Sequence, residues 1–500
     1  MKHKILFWLG SDLTHFCLAY FLQKKLDSDF YAIYDITNRP KKFFGNQQIV
    51  DFKKTWFFHD HIDSKKTNHD FKFLEYIEQK YGLNLWKYLI NERIFYRFYD
   101  FHIFSDDEML SILEHECRLF ENILSDIKPD FFITKEPAFH HLEIFYQMCK
   151  ASGVKVLMLT QPNIGYKCLV SENATKLDSL HSLKNLPHLG RNFEELQSYL
   201  KDNNLSTQIR TYDKHHGNSF TISIKAVIDY LLSSNDNIKT HYNYFGRTKS
   251  KVIFYSLNEM FKTKIRQSFI DNNLVKSPNL SKPFVYFPLS VDLERNLLIN
   301  SPYNTNQIEI IRHVVKSLPV GYSLYVKENP SQSTRSWRSK NEYNEIMNIP
   351  NVLLIHPSVP SELLIKNSSL VITIGGTSAF EAAFYEKPSI IFSDVGYSIL
   401  PSVFKIENYL DLPCAIKDAL SSKVDVNDVD KYLLVLEKNW FDFDWFGFGM
   451  LVKDFFYYNG TLVDVEISES KMNDFLEKHQ DKLKNLVLSH IEKIHDSKKF

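Results

Sequence analysis

"SLVITIGGTSAFEAAFYEKPSIIFS", Ser369 to Ser393, is the stretch on which the fold turns. An apolar run stops at Gly375-Gly376, Thr377 and Ser378 follow, and Glu381 lies in the first turn of a helix-like segment. A Lys-Pro pair then leads into a second apolar run. Strand, turn, helix and strand in that order form the repeating unit of a parallel α/β sheet. The turn has two readings. Paired glycines let backbone amides approach a ligand, and a helix start at Thr377 and Ser378 directs free N–H groups toward a phosphate or carboxylate. Glu381 would then take ribose hydroxyls. Alternatively, Ser378 to Glu381 is an S-x-x-E capping box that needs no ligand. The turn is neither a Walker loop nor a G-x-G-x-x-G fingerprint.

Working upstream, "LYVKENPSQSTRSWRSKNEY" places Lys327, Asn329, Arg335 and Arg338 just beyond another apolar run. Cations and amide donors at a strand end suit a phosphate-bearing donor, because they stabilise charge developing on a leaving group; an exposed loop with ordinary charges is the other reading. "FPLSVDLERN" ends a third strand, with Pro288 at its tip and Glu294 as a hydrogen-bond acceptor or a plain surface residue.

The first half of the chain has the same grammar. "KILFWLG", "FYAIYD", "PDFFITKEP" and "VKVLMLTQPN" read as strands separated by amphipathic helices, of which "SDDEMLSILEHECRLFENILSDI" is the clearest. Residues 48–100 lack sheet periodicity and read as an inserted helical segment. Loops after these strands carry Asp12 and His15, then Glu136, His140 and His141, then Gln161-Pro162-Asn163. A carboxylate or imidazole there can act as general base toward an acceptor hydroxyl, so Glu136, Asp12 and His140 are the catalytic candidates. Asp12 or Glu136 as a mere helix cap is the competing reading.

These segments predict an α/β chain with two Rossmann-like, doubly wound parallel-sheet domains facing a cleft. Residues 1–175 form the first domain, 176–280 a helical linker or insertion, 281–422 the second domain, and 423–500 an aromatic and helical tail packing back on the first. A chain of 500 residues exceeds one ordinary core, and 44% hydrophobic with 24% charged residues is a globular balance. Zero formal net charge argues against a nucleic-acid binder. Five scattered cysteines show no zinc or redox spacing, which fits a reducing compartment. The N-terminus has no cleavage-site pattern and no apolar run spans a bilayer, so a cytoplasmic protein is expected, with the inner membrane face as a peripheral location. "GRTKSKVIFYSLNEMFKTKIRQSF" is a basic amphipathic helix that either packs on a domain face or meets a membrane surface. No metal site is expected. "FFHDHIDSKKTNHD" lies in irregular sequence, "DVNDVD" lacks the features of a calcium loop, and "DFD" (Asp442 to Asp444) sits in the aromatic tail.

The ordered set "FVYFPLSVDLE", "YSLYVKENP", Arg338 and Tyr343, and "VITIGGTSAFEAAF" resembles the capsule polysaccharide biosynthesis family of glycosyltransferases, over about residues 283–400. That family has the GT-B architecture and includes bacterial capsule β-Kdo transferases. The resemblance implies a GT-B-like fold and transfer of a sugar from a nucleotide-activated donor, CMP-Kdo-like or another, to a capsular polysaccharide or glycolipid. Neither a cofactor nor a metal is implied. The family's "KEHP" falls on Lys327 to Pro330, its "GT(x3)EA" on Gly376, Thr377, Glu381 and Ala382, and its Arg on Arg338 or the nearby Arg335. Asn329 replaces the family's His; it donates a hydrogen bond but carries no titratable proton, which leaves the nucleotide open. The implied mechanism is direct displacement with inversion at the anomeric carbon. Three alternatives share the architecture: a nucleotide-sugar 2-epimerase, a CDP-polyol phosphotransferase, and a degenerate binding subunit of a capsule-assembly complex.

Overall fold

The computed structural model describes residues 2–63, 68–97, 100–162, 164–178, 189–203 and 220–496, and omits the side chains of Arg97, Phe220 and Arg335. Two compact units emerge. The first holds Met1–Ala174, Asn203–Val252 and Asn439–Phe500; the second holds Thr175–Asp202 and Ile253–Lys438. Both are α/β and Rossmann-like. The stretch expected as a linker is thus shared between them, and the tail from Asn439 onward belongs to the first.

The first unit is built on a seven-stranded sheet. Its strands are β1 (His3–Gly10), β2 (Ser28–Asp35), β3 (Phe52–Phe57), β4 (Phe131–Lys135), β5 (Lys155–Thr160), β6 (Lys167–Ser171) and, from the tail, β13 (Phe441–Asp442). The spatial order is β13-β6-β5-β4-β1-β2-β3. β1 to β5 run parallel; at one edge β6 pairs antiparallel to β5 and β13 antiparallel to β6. β1 shows why the sheet is two-sided. Ile5, Phe7 and Leu9 enter one core and Leu6 and Trp8 the other, as a period of two requires. The first core is closed by the helices Thr14–Gln23, Trp445–Phe456 and Glu469–Asp496. The second is closed by Phe71–Tyr81, Asp106–Ile127 and His140–Ala151. The helix Asp106–Ile127 begins with a complete capping box between Ser105 and Glu108.

Three strands correct the sequence reading. β3 lies inside the segment read as helical: "FKKTWF" carries two lysines and a threonine, because an edge strand faces solvent along much of its length. β6 and β13 are short; β6 pairs with the preceding β5, and β13 pairs with β6 from far along the chain. Asp442 in β13 pairs with Lys167, and Asp444 caps the next helix by accepting from Gly447 N–H at 2.7 Å, so both ends of the "DFD" motif have structural partners.

The second unit has a six-stranded, wholly parallel sheet in the order β12-β11-β10-β7-β8-β9. The strands are β7 (Phe284–Pro288), β8 (Ser323–Lys327), β9 (Val352–Ile355), β10 (Leu370–Thr373), β11 (Ser389–Ile391) and β12 (Val403–Lys405). In both sheets the chain winds outward one way and then returns to wind the other way. The reversal falls between β1 and β4 in the first and between β7 and β10 in the second. Ligands of open α/β sheets bind beyond the strand ends at such reversals. Among the described residues, no helix is long and apolar enough to cross a membrane.

Candidate functional site

In the second unit the glycine turn follows β10 directly. Neither Gly375 nor Gly376 has a positive φ, so left-handed backbone is not what demands glycine there. Close packing is. A Cβ on Gly375 would lie 2.2 Å from Ser393 Oγ, which itself donates to the Ile374 carbonyl at 2.6 Å. A Cβ on Gly376 would lie 3.0 Å from Thr373 Oγ1. The capping box does not form. Thr377 precedes the helix Ser378–Phe384 without a side-chain cap, and its hydroxyl donates instead to Glu381 Oε1 at 3.0 Å. Burial raises the Glu381 carboxyl above its ordinary range, against the Thr377 bond and the Lys327 charge.

Lys327 ends β8 and is buried; its ammonium donates to Ser361 Oγ at 3.1 Å. Its field reaches Glu381, whose charge in turn reaches the Tyr286 phenol on β7. Lys327, Thr377 and Glu381 are therefore gathered at the β7/β10 reversal, with Ser378 opening the helix beside them.

The remaining donor-side candidates sit differently. Arg338 is buried and points inward. Its guanidinium bonds Glu328 at 3.0 Å, the Ser290 carbonyl at 2.7 Å, and Asp292. Glu328 also accepts from Tyr343 at 2.8 Å, so Arg338 is a strut tying the loop after β7 to the loop after β8. Asn329 spends its side-chain oxygen on Ser331 N–H at 3.0 Å. Pro288 closes β7, and Glu294 precedes the short helix Arg295–Leu298. The side chain of Arg335 lies outside the described residues, as does Asn163.

In the first unit a cavity of about 280 Å³ opens at the β1/β4 reversal. Gly10, Asp35 and Lys135, the last residues of β1, β2 and β4, line it with His59, His141 and His241. The Asp35 carboxylate lies 3.3 Å from Nε2 of His59 and 3.3 Å from Nε2 of His141. Burial works to raise the Asp35 carboxyl, but the two imidazoles outweigh it and hold it well below the usual range. His241 is pushed down to about 3 by burial and by His59, whose ring centroid is 3.9 Å away. Its Nε2 lies 2.9 Å from the Ile36 carbonyl, which can only accept, so that nitrogen carries the proton.

None of the three sequence candidates lines this cavity; a chain neighbour of each does. Ser11 lines it, not Asp12; Lys135, not Glu136; His141, not His140. Asp12 is spent on Lys135 and on Thr14 N–H at 3.1 Å, and its carboxyl is lowered: burial opposes ionisation, but Lys135 and His15 outweigh it. His140 is enclosed between Glu92 and Glu116, which raise it to about 10 against burial. Sequence reasoning missed Asp35, His59 and His241. The one signal was the His-rich stretch containing His59, and nothing in sequence links it to His241.

No protein-family model and no curated protein sequence matches this chain. Among solved structures, the chain is similar to the UDP-GlcNAc 2-epimerase of Methanocaldococcus jannaschii in complex with UDP-GlcNAc and UDP, at 12% identity and a TM-score of 0.25 over 87% of this chain and 98% of that one. It is similar to the beta Kdo 2,7 transferase of Thermosulfurimonas dismutans at 12% identity and 0.29, over 70% and 87% of the two chains. A UDP co-structure of S. aureus MnaA gives 12% and 0.26, over 94% and 100%.

Proposed function

We propose that this chain is a nucleotide-sugar-dependent glycosyltransferase that passes a sugar to a capsular polysaccharide or glycolipid acceptor. The observation that carries the reading is the gathering of Lys327, Thr377 and Glu381 at the β7/β10 reversal, beside paired glycines where an added Cβ would meet Ser393 Oγ at 2.2 Å and Thr373 Oγ1 at 3.0 Å. In this reading the Lys327 ammonium and the amides of Thr377 and Ser378 hold the leaving phosphate, and the Glu381 carboxyl takes a ribose hydroxyl. The acceptor hydroxyl attacks the anomeric carbon, the bond from that carbon to the phosphate oxygen breaks, and the nucleotide departs with the electron pair. No metal is asked for at the donor phosphate, because fixed cationic and amide groups serve there. Arg338 supports the site from beneath as the strut between two of its loops.

The general-base candidates all lie in the first unit. Asp35, open to a cavity, is better placed for that role than Asp12, which is committed to Lys135, or His140, which is enclosed by two glutamates. Glu136 is the remaining sequence candidate.

Calorimetry with CMP, CDP, UDP and GDP tests the reading. One nucleotide should bind, and Lys327→Ala and Glu381→Ala should each weaken it. Failure of all four to bind, or unchanged affinity in both variants, overturns it. Conversion of the bound sugar without an acceptor would assign a 2-epimerase instead.

A further inference from the structure

We propose that Glu116, His140 and His141 form an interior binding site for a divalent transition-metal ion of the zinc class in the first unit. These three residues each offer one ligand atom, and the atoms lie within 4.8 Å of one another. They come from two elements of the second core: Glu116 from the helix Asp106–Ile127, and the adjacent histidines from the start of His140–Ala151. All three are buried, at 0%, 2% and 4% exposure.

Two buried atoms, paired with one another by charge alone, point to a ligand. Glu116 Oε2 and His140 Nε2 are each buried without a hydrogen-bond partner, although they face one another across 3.0 Å. Buried polar atoms are rarely left so. Donors about 2.0–2.1 Å from a tetrahedral zinc stand about 3.3 Å apart, close to that separation. His141 Nδ1 faces the same region, 3.2 Å from the Tyr242 hydroxyl, which donates to Glu116 Oε1 at 3.0 Å.

The outer partners agree. Metal-ligating histidines pass their other ring N–H to a carboxylate, which fixes tautomer and orientation. His140 Nδ1 lies 2.7 Å from Glu92, and His141 Nε2 lies 3.3 Å from Asp35. Each histidine thus has one nitrogen held by a carboxylate, while the other faces Glu116 in His140 and the Tyr242 hydroxyl in His141, contacts that a metal ion would replace. A route in exists too, because His141 and Asp35 both line the cavity at the β1/β4 reversal. Two imidazoles and one carboxylate form a donor set that zinc accepts with one position left open. This site stands independently of the nucleotide reading of the second unit.

The rival occupant is a proton, held by His140 between its two glutamates. Elemental analysis of the purified full chain, followed by stripping with chelator and calorimetric return of Zn²⁺, separates the two. One Zn²⁺ per chain is expected, with binding abolished in His140→Ala and Glu116→Gln and weakened about 10- to 100-fold in Glu92→Gln. Lys327→Ala, in the second unit, should bind Zn²⁺ as wild type does. Should the ligand variants fail to fold, Co²⁺ added to stripped wild-type chain decides. The intense visible absorption of a four-coordinate cobalt site supports the proposal. A wild-type chain that takes up no Zn²⁺ and leaves Co²⁺ with the spectrum of its hydrated ion overturns it.

Discussion

Thr377 donates its hydroxyl to Glu381 at 3.0 Å, four residues along, so the glutamate is anchored to the glycine turn rather than to the backbone of a capping box. The anchoring leaves a partly buried carboxyl that burial holds above its ordinary range. As pH rises through the ordinary carboxylate range, about 4.3, the unfolded chain loses this proton first. Above that point the folded chain binds more protons, and stability falls until the raised folded value is passed. Glu381→Gln should therefore be at least as stable as wild type in urea at neutral pH, with the difference shrinking toward pH 4. A difference that does not change with pH would contradict the assignment.

Lys327→Met tests the leaving-group role. Its side chain keeps the volume of the buried stem and removes the charge. Nucleotide affinity should drop about tenfold or more, ~1.4 kcal/mol, in calorimetry, and that loss should exceed the loss for the uncharged nucleoside.

Gly375 and Ser393 are in steric competition. A Cβ at 375 meets Ser393 Oγ at 2.2 Å, so Gly375→Ala should lower stability by about 1–3 kcal/mol in chemical denaturation. Adding Ser393→Gly should recover part of the loss. Additive losses in that double-mutant cycle would place the strain elsewhere.

Arg338 offers a sharper contrast. Glu328 has no exposed surface, so Arg338→Met strands a buried carboxylate and should cost about 3–5 kcal/mol. The pair Arg338→Met with Glu328→Gln should recover most of it, because the uncompensated charge is gone. Comparable melting of the single and double variants would show that the guanidinium matters for something other than Glu328.

Asp35→Asn separates proton transfer from donor binding. It keeps the shape of the group between His59 and His141 and removes the base. Transfer should slow about 10²- to 10⁴-fold while nucleotide affinity stays at the wild-type value. Normal turnover would return the role to Glu136.

Much of the architecture was legible because parallel strands advertise themselves. "ILFWL", "FVYF" and "LVIT" are unbroken apolar runs, as strands buried on both faces must be. β3 was not legible, since its lysines face water, and β13 has only two residues, placed by pairing with β6. The catalytic candidates fall on loops that border the cavity, beside the residues that line it. Asp12, Glu136 and His140 each sit one position from a side chain that lines the cavity, and chain spacing alone does not say which way a loop residue turns. His59 and His241 meet only through tertiary packing, which no local pattern encodes. The glycine pair reads as ligand-facing in sequence, yet the tightest packing at Gly375 comes from Ser393, just beyond the strand that follows the next helix.

The helix Glu469–Asp496 supplies Phe475, Leu476, Leu483, Leu486 and Val487 to the same core as Ile5, Phe7 and Leu9. On the ribosome, that face of β1 waits for partners made more than four hundred residues later, roughly 20–90 s at the usual ~5–20 residues per second. Every residue of the second unit is made within that interval. The unit translated first is therefore the one finished last, and its nascent form carries an open apolar sheet face for chaperones to cover. In cells short of them, insoluble product should outnumber full-length soluble chain even when the mature fold is unaltered.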